Sequence, residues 1–392
     1  LLKDLGCSSN AARICQLYLT DDLDFKRDFK LLDGNLPNVL RFVLAHTGMK
    51  SNLSERFRAI LNIFRNGGEI AHELIETRCH RGAEIARQLR FSEDVAQGIH
   101  FLDEHWDGSG KPSHVAGADI PLFARIALMA QVIDVFCQSQ GAEAAMQEVR
   151  NRAGAWFDPD LADAFLAVGQ NGEFWRALAA PDLRERLLEM APAQAHQGLD
   201  DDYLDEIVIA FAQVVDAKSP FTAGHSHRVA LFSDMIAEAL GMSDTERRWL
   251  KRASLLHDIG KLGVSNTILD KPGKLDDDEW VAMKQHTVKT EAILERVHAF
   301  ADFAFVAASH HERLDGKGYP RGLREGQIPF ETRIITTADI FDALTADRPY
   351  RAAMPVSKAL GIMKNDVGSA VDAQCFAALT RALELARPEL AA

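Results

Sequence analysis

The chain has 392 residues, 47% hydrophobic and 26% charged, with a formal net charge of −13. That length suggests two domains of ordinary size, and abundant Ala, Leu and Arg beside little Tyr favour an all-α chain. The acidic balance argues against a protein that coats nucleic acid polymers, because neutralising phosphates takes a basic surface. Apolar stretches such as Ile207 to Val215 fall well short of the roughly 18–20 residues that cross a bilayer, and no signal-peptide pattern opens the chain. No membrane span is expected, and a cytoplasmic location is. The five cysteines form no CxxC pair and make a poor disulfide framework.

The chain opens at Leu1 in helical sequence with no Met, so the natural protein is expected to extend upstream. Its opening, Leu1-Leu2-Lys3-Asp4-Leu5-Gly6, parallels Leu255-Leu256-His257-Asp258-Ile259-Gly260. Asp107-Gly108-Ser109-Gly110-Lys111-Pro112 parallels Asp315-Gly316-Lys317-Gly318-Tyr319-Pro320, and Ile120-Pro121-Leu122-Phe123-Ala124-Arg125-Ile126 parallels Ile328-Pro329-Phe330-Glu331-Thr332-Arg333-Ile334, both at a constant spacing of 208. Three matches in one order read as an internal repeat. The first copy carries a long insertion between its opening and His80, and it is expected to occupy residues 1–190. A linker at 191–200 follows, marked by Pro192 and a polar run, and the second copy fills 201–392.

In the second copy, Asp205 to Lys218 has helical spacing and stops at Ser219-Pro220. Ser243 with Glu246 is a capping box opening a helix that runs to His257-Asp258 and ends at Gly260, and Asp276 with Glu279 opens the helix of His286. A third helix ends near His310-His311, and a fourth, after Pro329, carries Asp339. His225, His257, Asp258, His286, His310, His311 and Asp339 therefore sit on or at the ends of successive helices, as in the metal sites of helical bundles. Their nitrogen and oxygen donors suit two octahedral divalent ions sharing a carboxylate. Two ions about 3.5–4 Å apart activate water to a hydroxide nucleophile for in-line attack on phosphorus, which is phosphoester hydrolysis.

The run Leu256-His257-Asp258-Ile259-Gly260-Lys261, followed by Lys271-Pro272-Gly273, His310-His311-Glu312, Gly318-Tyr319-Pro320 and Arg348-Pro349-Tyr350-Arg351, resembles the HD-GYP branch of the HD phosphohydrolases. The resemblance covers residues 205 to 385. It implies tandem HD-domain helical bundles, the second intact, and hydrolysis of cyclic di-GMP, a bacterial second messenger, to linear pGpG and onward to GMP. It also implies that His225, His257 and Asp339 serve one metal and His286, His310 and His311 the other, with Asp258 bridging and iron or manganese as the ions. Lys261 would touch the scissile phosphate or the nucleophile. Arg348 and Arg351 would clamp substrate phosphates, a role suited to guanidinium forks. Tyr319 would offer a face for stacking a base, with the more basic Lys317 beside it, or the Gly318-Tyr319-Pro320 loop would recruit a protein partner. Some relatives carry a carboxylate four residues before the first His, where it helps to hold a third metal. Phe221 stands there, so two metals are expected.

In the first copy, His257 becomes Lys3, Asp258 is kept as Asp4, and His286 is matched by His80 if a two-residue gap is allowed. His310 and His311 become Leu102 and Asp103, and Asp339 becomes Gln131. That set cannot hold two divalent ions, so the first copy is expected to be catalytically dead, a scaffold or homodimer surface, with Lys3 and Asp4 as a neutralising ion pair. Two other readings compete with cyclic di-GMP hydrolysis. One is a hydrolase of the same fold acting on 3′,3′-cyclic GMP-AMP or another nucleotide, and the other is a nonenzymatic cyclic-dinucleotide sensor and partner-binding module.

Overall fold

The computed structural model describes residues 5–29, 36–49, 51–190, 200–347 and 351–390, and among them the regular structure is helical, with three isolated β-bridges and no strand. The chain divides into two compact units, Leu1–Thr20 with Asp24–Leu204 and Asp21–Leu23 with Asp205–Ala392. The expected linker lies, except for Asp200, outside the described residues.

In the first unit the insertion folds into helices Ala11–Tyr18, Asp22–Phe29 (apart from Asp22 and Leu23, which belong to the second unit) and Leu36–His46 and the first turns of the long helix Leu53–Gln88, which Asn52 caps by accepting from Glu55 N. Ile14, Leu17, Phe42, Val43, Ile63 and Ile70 form the core of this part. Farther along, Leu122–Gln140 packs Leu128, Met129, Val132, Ile133 and Phe136 against Val149 and Phe157. This 19-residue helix, of mean hydropathy 1.4, is long and apolar enough to cross a membrane, a property that runs of consecutive apolar residues do not reveal. One face lies in a packed core, while Leu122, Phe123 and Ile126 are exposed.

Both expected capping boxes of the second unit are present, at Ser243 for helix Asp244–Leu256 and at Asp276 for helix Asp277–Leu294. The first of these helices ends at Leu256, and Ile259–Gly263 continues as a tight 3₁₀ turn, so His257 and Asp258 occupy the junction between them. Helices Asp201–Asp216, His225–Ala239, Ala304–Ala308 and Phe330–Thr345 complete the frame around the site. Behind it a buried ion pair joins Lys218 Nζ to Asp22 Oδ2 at 3.2 Å, and the other Asp22 oxygen accepts from Asn266 N. Removing one partner of such a pair leaves an uncompensated buried charge.

Several contacts recur inside the two units. A Cβ on Gly260 would overlap the His286 carbonyl oxygen, and one on Gly6 would overlap that of Arg78. Buried Glu312 accepts from Arg321 N and Leu323 N at 2.6 and 2.8 Å, and buried Glu104 accepts from Ser113 N and Val115 N at 2.5 and 3.1 Å. Each carboxylate ties down the loop that carries Gly318 or Gly110. Arg333 pairs with Asp372 as Arg125 pairs with Asp158.

Candidate metal centre

Four of the five histidines of the cluster are aimed by their own Nδ1. His257, His286 and His310 direct it at the carbonyls of Ser254, Met283 and Ala307, all at 2.7 Å and all three residues back along the chain. A carbonyl can only accept, so the proton sits on Nδ1 and the lone pair on Nε2 points inward. His225, at the first position of its helix, directs Nδ1 at the Asp342 carboxylate, also at 2.7 Å.

The inward atoms converge in three overlapping groups, His225 with His257 and Asp339, His257 with Asp258 and His310, and His286 with His310 and His311, each with its ligand atoms within 4.8 Å of one another. Asp258 spans the groups. Its Oδ2 lies 3.3 Å from Nε2 of both His225 and His257, and its Oδ1 lies 3.5 and 3.7 Å from Nε2 of His286 and His310. Nε2 of His225, His257, His286 and His310 and Oδ1 of Asp258 are buried and make no hydrogen bond. Five such buried atoms would each cost about 1–3 kcal/mol if left unsatisfied. Inner-sphere ligation by divalent cations satisfies all of them, so the residues present fit a metal.

The electrostatics agree. Burial pushes His286 down to about 4, His310 to about 3 and His311 well below its usual range, so these imidazoles stay neutral and available as ligands. His225 departs from them. Burial opposes its charging, yet Asp258, Asp342 and Asp339 lift it to about 9. The field that favours a proton there is the field that would favour a metal cation. Although burial works against its charge, Asp258 is held well below the carboxylate range by Lys261 and His257, and Asp339 is held down by His225, His257 and His310.

The seven expected ligands are thus brought together, and the other candidates are placed less uniformly. Lys261 Nζ contacts Asp258 Oδ2 at the edge of the cluster. Tyr319 packs its ring against His311 at 4.8 Å and lies 6.4 Å from His286, so one face is taken by a ligand residue. Lys317 is exposed beside it. Arg351 spends its guanidinium on the carbonyls of Ala343, Leu344 and Ala352, where it closes the end of helix Phe330–Thr345 instead of reaching the cluster. Arg348 lies outside the described residues, as do Lys3 and Asp4. His227 is turned away, half exposed and 3.8 Å from Asp216, and His298 is exposed. Phe221 brings no donor atom.

Asp342 and Glu312 contribute without having stood out in the sequence. Asp342 is 1% exposed and also receives Arg228, Nε to Oδ1 at 2.5 Å and Nη2 to Oδ2 at 3.2 Å. Its signal was the spacing Asp339-x-x-Asp342, one helical turn, which places both carboxylates on the same side of one helix. Asp342→Asn keeps the shape and removes the charge behind His225, and it is expected to weaken divalent-metal affinity about 10- to 100-fold, measured by competition with a chelating dye.

In the first unit the residue that meets Gly6 as His286 meets Gly260 is Arg78, so the gap that would align His80 is not needed. His80 is exposed and pairs with Glu84 at 3.2 Å. Arg78 contacts the Asp103 carboxylate, Leu102 is buried, and the Gln131 Oε1 makes no hydrogen bond. An arginine and a leucine stand in this unit where the second has two imidazoles.

The family model described as HD domain matches residues 33–161 and 210–375. A Vibrio cholerae protein named 3′3′-cGAMP-specific phosphodiesterase 3 is 56% identical over 98% of this chain and 84% of its own. The Xanthomonas campestris cyclic di-GMP phosphodiesterase response regulator RpfG is 37% identical over 45% of this chain and 47% of its own. A crystal structure titled as a cyclic GMP-AMP-specific phosphodiesterase of V. cholerae (V-cGAP3) matches with a TM-score of 0.62 at 50% identity, covering 98% of this chain and 85% of that one.

Proposed function

Because the chain belongs to the HD-domain family, in its HD-GYP branch, we propose that its second unit is a metal-dependent phosphodiesterase that opens 3′,3′-cyclic GMP-AMP to a linear dinucleotide. The observation that carries the chemistry is the gathering of five buried, unsatisfied ligand atoms into overlapping groups. The substrate is argued from likeness over nearly the whole chain to a protein named for cyclic GMP-AMP. Cyclic di-GMP, the substrate that the motifs alone suggest, yields to it because RpfG matches less than half of the chain.

His225, His257 and Asp339 would hold one divalent ion and His286, His310 and His311 a second, with Asp258 between them. The ions supply a Lewis acid for the phosphodiester oxygens and lower the pKa of water at the site. His225, His257, His286 and His310 keep their Nδ1 protons engaged by a carboxylate and three carbonyls, so their Nε2 lone pairs stay directed inward without rearrangement. Lys261, beside Asp258, places an ammonium where negative charge builds on phosphorus-bound oxygen. Nitrogen and carboxylate donors without thiolate suit iron or manganese, and Phe221 leaves the site with two ions. The first unit, with Arg78, Leu102 and Gln131 at the matching positions, is a degenerate copy without activity.

The test is kcat/KM of the metal-loaded full chain for the two cyclic dinucleotides side by side. Cyclic GMP-AMP should be favoured by at least about tenfold, about 1.4 kcal/mol of differential transition-state binding. Faster turnover of cyclic di-GMP would reverse the substrate assignment.

A further inference from the structure

Trp280, near the start of helix Asp277–Leu294, is 45% exposed and lies one ring away from the cluster, through Tyr319. Its ring centroid lies 6.3 Å from that of Tyr319, whose other neighbours are His311 and His286. Lys284, one turn on, sets Nζ 5.6 Å from the Trp280 ring and 5.5 Å from the Tyr319 ring. The other exposed large ring of the second unit among the described residues, Phe305, likewise carries a cation, Arg321 at 5.1 Å. A half-exposed indole offers a flat apolar face at low entropic cost.

We infer that Trp280, assisted by Lys284, is the surface on which a purine base of the substrate stacks while its phosphodiester sits at the cluster. The inference rests on the cyclic-dinucleotide reading above and moves the stacking role from Tyr319, which is committed to His311, to the ring that is open. Stacking needs only a π-face, so Trp280 serves both purines and contributes affinity, not the choice between them. The Lys284 ammonium over the same rings adds attraction for the anionic dinucleotide.

The experiment uses the metal-loaded full chain with Trp280→Ala and Trp280→Phe. Alanine should raise KM for cyclic GMP-AMP at least about fivefold, with kcat within about twofold and metal content unchanged, while phenylalanine restores most of the loss. A hydrolysis-resistant phosphorothioate cyclic GMP-AMP should quench tryptophan fluorescence in wild type and much less in Trp280→Phe, although four of the five tryptophans remain. An unchanged KM in the alanine variant would overturn the inference, as would a loss confined to kcat and metal content. Wild-type protein with no turnover would defeat the functional reading instead. Quenching that is identical in wild type and Trp280→Phe would then count against the stacking surface on its own.

Discussion

Asp258→Ala should lower kcat by at least about 10³-fold and strip the tightly held divalent metal, the first read by turnover of cyclic GMP-AMP and the second by elemental analysis of the purified variant. The estimate takes several kcal/mol of electrostatic stabilisation lost, at 1.36 kcal/mol per tenfold. The geometry singles out this residue. Of the two carboxylates in the cluster, Asp258 has one oxygen toward His225 and His257 and the other toward His286 and His310, so its removal unmakes both groups together. It also leaves Lys261 with an unpaired charge beside four imidazoles. A variant that kept its metal and most of its rate would mean that Asp258 does not bridge.

Gly260→Ala should be nearly as damaging, and by packing alone. An added Cβ would fall well inside van der Waals contact of the His286 carbonyl oxygen and 2.6 Å from Thr290 N, both backbone atoms of the helix that carries His286. Backbone cannot yield as a flexible side chain can, so that helix must move away from His257 and Asp258 or the 3₁₀ turn must open. A cost of roughly 3 kcal/mol or more follows, a fall in Tm of about 6–12 °C for a unit of this size, with activity lost in parallel. Gly273→Ala is the control, since a Cβ there meets nothing within 4 Å. Thermal scans of the two variants beside wild type decide it, and equal Tm values would refute the close packing.

Much of the site is legible because its chemistry is local. Adjacent pairs such as His257-Asp258 and His310-His311 mark themselves, and the capping boxes at Ser243 and Asp276 locate the helices that lead to His257-Asp258 and carry His286. The orienting partners are harder to read. The carbonyls of Ser254, Met283 and Ala307 have no side-chain signature, and the role of Asp342 depends on His225 arriving from a distant helix, 117 residues away in the chain. Arg351 shows the opposite case. A motif position suggests a phosphate clamp, but the guanidinium finds three carbonyls at the end of its neighbouring helix. His80 was attractive as the nearest histidine, whereas close packing at Gly6 selects Arg78. Tyr319 and Trp280 differ by exposure, which depends on how the loop folds back onto His311, a tertiary matter beyond the reach of motif spacing.

The most direct test is to strip the full chain of metal with a chelator, titrate iron or manganese back under anaerobic conditions, and follow hydrolysis of cyclic GMP-AMP at each step. Activity should be absent without metal and should rise to a plateau near about two ions per chain, as a two-ion phosphodiesterase requires. Full activity in the stripped protein, or no activity at any metal loading, would contradict the assignment of these seven residues to a metal-dependent phosphodiesterase.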